Sequence, residues 1–165
     1  MNAKAKTVLK AWPAIAGATI GLCFLTQTVA KLFGVDLPDQ QNVEVVRRWL
    51  LRAFDSPGAF GTCAFLLAQV LVILPAVEEL LFRGLLFRLP RLVVPQVAAA
   101  AVSSALFSAA HYIAQPFPDA AFVALFFFGL AQCWLYAKTD RIWCPMLNHF
   151  LFNLTNLVLM FVLPQ

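Results

Sequence analysis

Charged residues are scarce in this sequence. Of its 165 residues, 12% are charged and 62% are hydrophobic, whereas soluble domains have about 25% charged and about 45–50% apolar residues. A soluble fold of this size could not hide so much apolar surface from water. The composition therefore excludes a water-soluble globular protein and predicts a polytopic membrane protein, with residues 1–165 forming a single membrane domain.

Cysteine pairs and long basic runs are also missing. The four cysteines, Cys23, Cys63, Cys133 and Cys144, lie in apolar stretches without a C-x-x-C pair. We interpret them as small buried hydrophobic residues. The 12 Lys and Arg residues lie in short clusters between apolar runs. This pattern is typical of loops that flank a membrane, so we expect the lipid bilayer and no nucleic acid as a partner.

Apolar stretches long enough to cross a bilayer dominate what is present. A spanning helix needs about 20 mostly apolar residues, and five stretches qualify: 12–33, 60–82, 96–114, 120–137 and 142–163. The sequence thus predicts an all-α bundle of about five transmembrane helices. The first stretch follows three lysines but has no clear cleavage site, so we expect a retained helix and not a signal peptide.

A polar segment between the first two stretches has a helical repeat. Residues 43–54 predict a short amphipathic helix lying in the membrane interface, with an ordinary solvated loop helix as the alternative. Its apolar face is formed by Val43, Val46, Leu50 and Phe54, and its polar face by Glu44, Arg48 and Arg52.

The distribution of basic residues predicts the orientation. With the amino terminus inside, eight of the 12 basic residues fall on the cytoplasmic side. Basic residues accumulate in cytoplasmic loops. We therefore expect the amino terminus inside and the carboxyl terminus outside.

Several polar residues interrupt the predicted spans. They are Glu78, Glu79 and Arg83 in the second stretch, His111 in the third, and His149 and Asn153 in the fifth. An ionisable group at the centre of a membrane costs about 2.5–3.5 kcal/mol or more, which makes each one a functional candidate. At 1.5 Å per residue, Glu78 lies about 16 Å, His111 about 22 Å, His149 about 12 Å and Asn153 about 18 Å from the cytoplasmic side. Three separate helices therefore place their polar residues in one layer.

The spacing also predicts how these side chains face. His149 and Asn153 are separated by four residues and share a helix face, as do Phe107 and His111. Glu79 precedes Arg83 by four residues, the favourable order for an ion pair. Glu78 points about 100° away from Glu79, so we expect Glu78 to be available as a general base.

The ordered motifs resemble those of the CPBP family of intramembrane proteases, which includes the CAAX prenyl endopeptidases and bacteriocin-processing or immunity proteins. The family pattern is EExxxR, FxxxH and HxxxN, each on its own helix. The sequence has Glu78-Glu79-Leu-Leu-Phe-Arg83, Phe107-Ser-Ala-Ala-His111 and His149-Phe-Leu-Phe-Asn153. The resemblance covers residues 60–157 and leaves out the first helix and the amphipathic segment.

The resemblance implies hydrolysis of a peptide bond in a membrane-tethered protein or peptide without a covalent enzyme intermediate. Glu78 and His111 would activate a water, and His149 and Asn153 would donate hydrogen bonds to the oxyanion. Glu79 and Arg83 would brace the helix, with the ring of Phe107 beside His111. The substrate could be a CAAX-like end, a carboxy-terminal sorting signal or a bacteriocin leader. The compact chain suggests a prokaryotic cytoplasmic membrane.

Three alternatives remain open at this point. Glu78, His111 and His149 could form a two-histidine, one-carboxylate zinc site, although we expect no metal and no other cofactor. The chain could instead be a catalytically idle immunity or scaffold protein. It could also be a small transporter or channel subunit, with the polar layer as a proton or ion path.

Overall fold

The computed structural model describes residues 2–37, 41–55, 58–113 and 119–162. Within these ranges the chain forms six helices and no strand, in agreement with the all-α prediction. The helices are α1 (Ala3–Leu32), α2 (Gln41–Phe54), α3 (Ala59–Leu92), α4 (Gln96–Ala110), α5 (Ala121–Thr139) and α6 (Trp143–Val162).

Four of these helices, α1, α3, α5 and α6, are long and apolar enough to cross a membrane. The sequence predicted about five spans, and the third predicted stretch, 96–114, corresponds to the shorter apolar helix α4. Helix α4 has 15 residues and ends at Ala110, so it is about 22 Å long and shorter than the apolar core of a bilayer. Position 114, the end of the predicted stretch, lies outside the described residues.

Helix α1 begins nine residues before the predicted apolar stretch. The Asn2 side chain caps it by accepting a hydrogen bond from the Lys4 backbone N–H at 3.1 Å. The Lys4 Nζ donates to the Thr139 carbonyl at the end of α5 (2.8 Å). Lys4 thus satisfies an unpaired carbonyl of a neighbouring helix. The turn that contains Lys4 and Lys6 is therefore part of α1.

Helix α2 coincides with the predicted amphipathic segment and starts two residues earlier. Leu50 and Ala53 are buried, whereas Trp49 and Phe54 are exposed, and the helix packs against α3. The side chains of Val43 and Glu44, which contribute to the predicted faces, lie outside the described part of the chain.

Helix α3 is not a uniform α-helix. Two π-helical segments, Gln69–Ile73 and Leu80–Leu85, flank the α-helical segment Leu74–Glu79. A π-helical turn changes the direction of the side chains that follow it and leaves backbone groups without their usual partners. The two glutamates thus lie at the end of the regular segment between two irregular ones.

Helices α4 and α5 pack closely through small residues. A Cβ atom at Gly129 would lie 2.8 Å from the Ser104 Cβ and 3.0 Å from its Cα. The buried hydroxyls of Ser103, Ser104 and Ser108 donate to backbone carbonyls at 2.7 Å. These serines therefore act as small packing residues, the role that small residues have in many membrane helices.

Candidate active site

An ion pair on α3 forms the base of the site. Glu79 Oε1 lies 3.2 Å from Arg83 Nη1, and both side chains are fully buried. Arg83 Nη2 also donates to the Gly129 carbonyl on α5 (3.2 Å), and its guanidinium lies 4.4 Å above the centre of the Phe107 ring. The pair expected from the spacing of four residues is present, and it connects α3 to α4 and α5.

His149 lies between the two glutamates. Its Nδ1 is 2.8 Å from Glu79 Oε1, and its Nε2 is 3.7 Å from Glu78 Oε2. A carboxylate in an ion pair can only accept a hydrogen bond, so we assign the proton on Nδ1 as the one donated to Glu79. The family resemblance implied only a bracing role for Glu79, and the contact with His149 was not predicted because it joins residues 70 positions apart.

Two buried amides that were not among the predicted site residues, Gln132 and Asn148, extend the network. Gln132 Nε2 donates to Glu79 Oε1 (3.2 Å) and to the Pro145 carbonyl (3.1 Å). Asn148 Nδ2 donates to Gln132 Oε1 (3.0 Å). Both amides lie in predicted spans, so a search for uncharged polar residues in those spans would have found them.

His111 lies at the end of α4, where helix carbonyls lose their usual donors. Its Nδ1 is 2.9 Å from the Phe107 carbonyl oxygen, and its ring lies 4.8 Å from the Phe107 ring. Because a carbonyl oxygen only accepts, Nδ1 carries the proton and Nε2 carries the lone pair. The end of the helix thus determines the tautomer of this histidine.

Asn153 is oriented by the irregular backbone of α3. The Val70 carbonyl would accept from residue 74 in an α-helix or from residue 75 in a π-helix. The Leu74 N–H donates instead to the Gln69 carbonyl, and Pro75 has no N–H. Asn153 Nδ2 donates to the Val70 carbonyl at 3.0 Å, so a partly buried acceptor is satisfied and the amide is held in place.

The four residues predicted to be catalytic, Glu78, His111, His149 and Asn153, line one cavity of about 590 Å³. Glu78 is 31% exposed there. The rest of the wall is mainly apolar and includes Ile20 and Phe24 of α1, Trp49 of α2, and Leu157 and Met160 of α6. The three supporting residues Glu79, Arg83 and Phe107 are fully buried behind this surface.

Tyr112, the residue after His111, is also held by a polar contact, which it makes with Asp119. Asp119 Oδ1 accepts from the backbone N–H groups of Ala121 (2.8 Å) and Phe122 (3.1 Å) at the start of α5. It also accepts from the hydroxyl of Tyr112. Burial raises the pKa of the Tyr112 phenol, and the hydrogen bond to Asp119 raises it further. The phenol therefore stays a donor, and it joins the end of α4 to the start of α5.

The arrangement of ligand-type side chains bears on the zinc alternative. Among the residues that the structure describes, no three His, Cys, Asp or Glu side chains form a group that could hold a metal ion. His149 Nδ1 and His111 Nδ1 are occupied by Glu79 and by the Phe107 carbonyl. A two-histidine, one-carboxylate site would therefore have to use the Nε2 atom of each ring.

The fold and the site together define a class of protein, an integral membrane protein with an ionisable, enzyme-like site inside its helical bundle. The family model "Type II CAAX prenyl endopeptidase Rce1-like" matches residues 59–155. The chain belongs to this family of intramembrane endopeptidases, whose substrates are membrane-associated proteins or peptides. Comparisons with curated proteins and with solved structures give no match.

Proposed function

We propose that this protein hydrolyses a peptide bond of a membrane-associated protein or peptide with a water molecule activated by Glu78 and His111. The observation that carries the proposal is the common cavity, because side chains from α3, α4 and α6 converge on it. No side chain would become covalently attached to the substrate.

Two observations support the base in this mechanism. The lone pair of His111 lies on Nε2, because Nδ1 donates to the Phe107 carbonyl. Glu78 is partly exposed to the cavity, so its carboxylate can accept a proton from water. As the water oxygen adds to the scissile carbonyl carbon, this pair takes the water proton and a tetrahedral oxyanion forms.

The oxyanion would be stabilised by Asn153 and His149. Asn153 Nδ2 has two hydrogens, and the Val70 carbonyl takes one. When the His149 ring is protonated, Nδ1 donates to Glu79 and Nε2 has a second N–H on the side of Glu78 and the cavity. In that state the net charge of the cluster formed by Glu78, Glu79, Arg83 and His149 is zero. A neutral cluster is favoured inside a membrane.

Collapse of the intermediate completes the reaction. The C–N bond breaks, and the proton held by the base passes to the departing amine. A serine nucleophile is not needed, and the hydroxyls of Ser103, Ser104 and Ser108 are engaged with backbone carbonyls.

We further propose that the substrate is a CAAX-like carboxyl end or another terminal processing signal attached to the membrane. The apolar wall formed by Phe24, Trp49 and Met160 is suited to an apolar chain. The polar corner of the same cavity, formed by Glu78, His111, His149 and Asn153, would then receive the peptide bond.

We also propose that the amino terminus lies in the cytoplasm of a prokaryotic cell. Labelling of single cysteines added at each terminus measures this orientation.

The decisive experiment compares cells that carry the wild type, Glu78→Gln and Asp140→Asn. Asp140 is the matched control, because its carboxylate is 76% exposed at the end of α5 and pairs with Arg91. Its left-handed backbone (φ 49°) also suits asparagine. We expect protein termini that are present with the wild type and Asp140→Asn to disappear with Glu78→Gln at equal membrane abundance. Unchanged termini in all three strains would refute the proposal.

The same strains separate the alternatives. A protective effect that survives in Glu78→Gln would identify an immunity or scaffold protein, and an ion flux lost in Glu78→Gln would identify a transporter. Cleavage by purified protein in liposomes is expected to persist with a zinc chelator. Loss of cleavage that added zinc restores would establish the metal-dependent version of the protease.

A further inference from the structure

Gln132 occupies a central place in the network behind the cavity. Its side chain is fully buried and is absent from the cavity wall, so it does not reach a substrate. It nevertheless connects three helices, because from α5 it contacts Glu79 on α3 and both Pro145 and Asn148 on α6. This geometry identifies a residue that could act through others.

The Glu79 carboxylate depends on this contact for its position. Its Oε1 receives His149 Nδ1, Gln132 Nε2 and the Arg83 ion pair. Its Oε2 is buried and, among the residues the structure describes, has no hydrogen-bond partner. One oxygen therefore carries all the polar contacts, and the Gln132 amide helps to determine which oxygen faces His149.

The position of Glu79 in turn determines the His149 ring. With Nδ1 donating to Glu79, Nε2 is directed toward Glu78. A carboxylate that accepts a hydrogen bond from one ring nitrogen of a histidine fixes the orientation of the ring and therefore of its other nitrogen. If the carboxylate rotates, the ring loses its orienting acceptor and Nε2 loses its position relative to the cavity.

We propose that Gln132 is a positioning residue for the proteolytic reaction, acting through Glu79 to hold His149 in its productive orientation, with Nδ1 donating to Glu79 and Nε2 facing the cavity. Asn148 supports it by donating to Gln132 Oε1. This inference rests on the proposed function, although its effect on His149 can be measured without any substrate.

The kinetic test uses Gln132→Met, which keeps a long side chain and removes the amide. The control is Thr139→Val on the same helix, because the Thr139 hydroxyl is buried and donates only to Leu135 of its own helix. With a farnesylated CAAX-type peptide in proteoliposomes, we expect kcat to fall about 10- to 100-fold in Gln132→Met with KM within about twofold, since small misplacements at a reacting centre have effects of this size. Thr139→Val should match the wild type.

A second measurement uses the fact that the chain has two histidines. In ¹⁵N-histidine-labelled protein in micelles, a His111→Gln variant assigns the signals of His149. We expect a protonated Nδ1 in the wild type and a shifted, broadened Nδ1 signal in Gln132→Met. A wild-type ring without a proton on Nδ1, or spectra identical in both proteins, would overturn the inference.

The two arms distinguish the possible failures. If the wild type cleaves nothing, the proposed function fails and the spectra still test the role of Gln132. If the wild type cleaves and Gln132→Met has an unchanged kcat, the inference fails alone. If Gln132→Met does not fold, Asn148→Leu replaces it. Asn148 Oδ1 has no hydrogen-bond partner in the described ranges, so we expect the protein to tolerate the loss of this oxygen. A drop in kcat of several fold in Asn148→Leu supports the inference, and an unchanged kcat overturns it.

Discussion

Glu78 and Glu79 are neighbours in the chain and have different surroundings. Glu79 is fully buried and is contacted by Arg83, Gln132 and His149, whereas Glu78 is partly exposed in the cavity. The helical rotation of about 100° between adjacent residues produces this division. At the residue scale, one carboxylate organises the site, and we propose the other as part of the base.

Asn153 allows a test of the proposed oxyanion contact. We expect Asn153→Asp to lower kcat about 10²- to 10³-fold with little change in KM, because the carboxylate has no N–H for the oxyanion or for the Val70 carbonyl. The measurement is steady-state cleavage of the farnesylated peptide.

Thr155→Val is the control for Asn153→Asp, since the Thr155 hydroxyl donates to Leu151 of its own helix. Thr155 lies on α6, as Asn153 does. The substitution removes one polar atom, and the hydrogen bond lost is not the one to Val70. Equal activity of Asn153→Asp and the wild type would contradict the assigned contact.

Helix α3 shows how an irregular element determines the site. The π-helical segment Gln69–Ile73 and Pro75 together leave the Val70 carbonyl for Asn153. The second segment, Leu80–Leu85, contains Arg83 and also Phe82, whose carbonyl accepts from Ser103 on α4. At the element scale, backbone carbonyls of irregular turns form contacts between helices.

The close packing of α4 and α5 predicts the effect of a methyl group at Gly129. We expect Gly129→Ala to lower the free energy of unfolding by about 1–3 kcal/mol, because the new Cβ would overlap the Cα and Cβ of Ser104. Denaturant unfolding in micelles measures this change. Cleavage should also fall, since the Gly129 carbonyl accepts from Arg83.

Gly17→Ala provides the matched comparison on α1, where an added Cβ meets nothing within 4 Å. We expect its unfolding free energy to equal or slightly exceed that of the wild type. Similar losses in both variants would show that the α4–α5 contact is not the cause.

At the scale of the whole molecule, the cavity extends beyond the segment that the family model matches. Residues 59–155 contain the polar residues of the site, but α1 and α2 supply Phe24 and Trp49 to the cavity wall. At this scale, the amino-terminal part of the chain completes the space that the substrate would occupy.

This arrangement predicts that Trp49→Ala raises KM for the farnesylated peptide about tenfold with little change in kcat. Loss of an apolar contact of about 1.4 kcal/mol corresponds to that factor, and Trp49 belongs to the apolar part of the cavity wall. Phe33→Ala serves as the control, because Phe33 is 82% exposed and does not line the cavity. A change in kcat alone would contradict the role of this wall in binding.

Composition and spacing determined several features before any coordinates. The apolar stretches predicted an all-α membrane bundle, which is confirmed, and the ordered motifs predicted the protease family, which is also confirmed. These features depend on the period of the helix and on apolar runs long enough to match the bilayer, and both are local properties of the chain. The same local reasoning identified Glu78, His111, His149 and Asn153 as candidates.

Only the tertiary structure decided how those candidates are held. The packing of separate helices determines three features: the contact of His149 with Glu79, the contacts of the Gln132 and Asn148 amides, and the short length of α4. Hydrogen-bond partners distant in sequence leave no periodic signal, and a π-helical turn changes side-chain direction without an obvious signature. The chemistry available at the site was therefore readable from residue types, whereas its tautomers and orientations required three-dimensional packing.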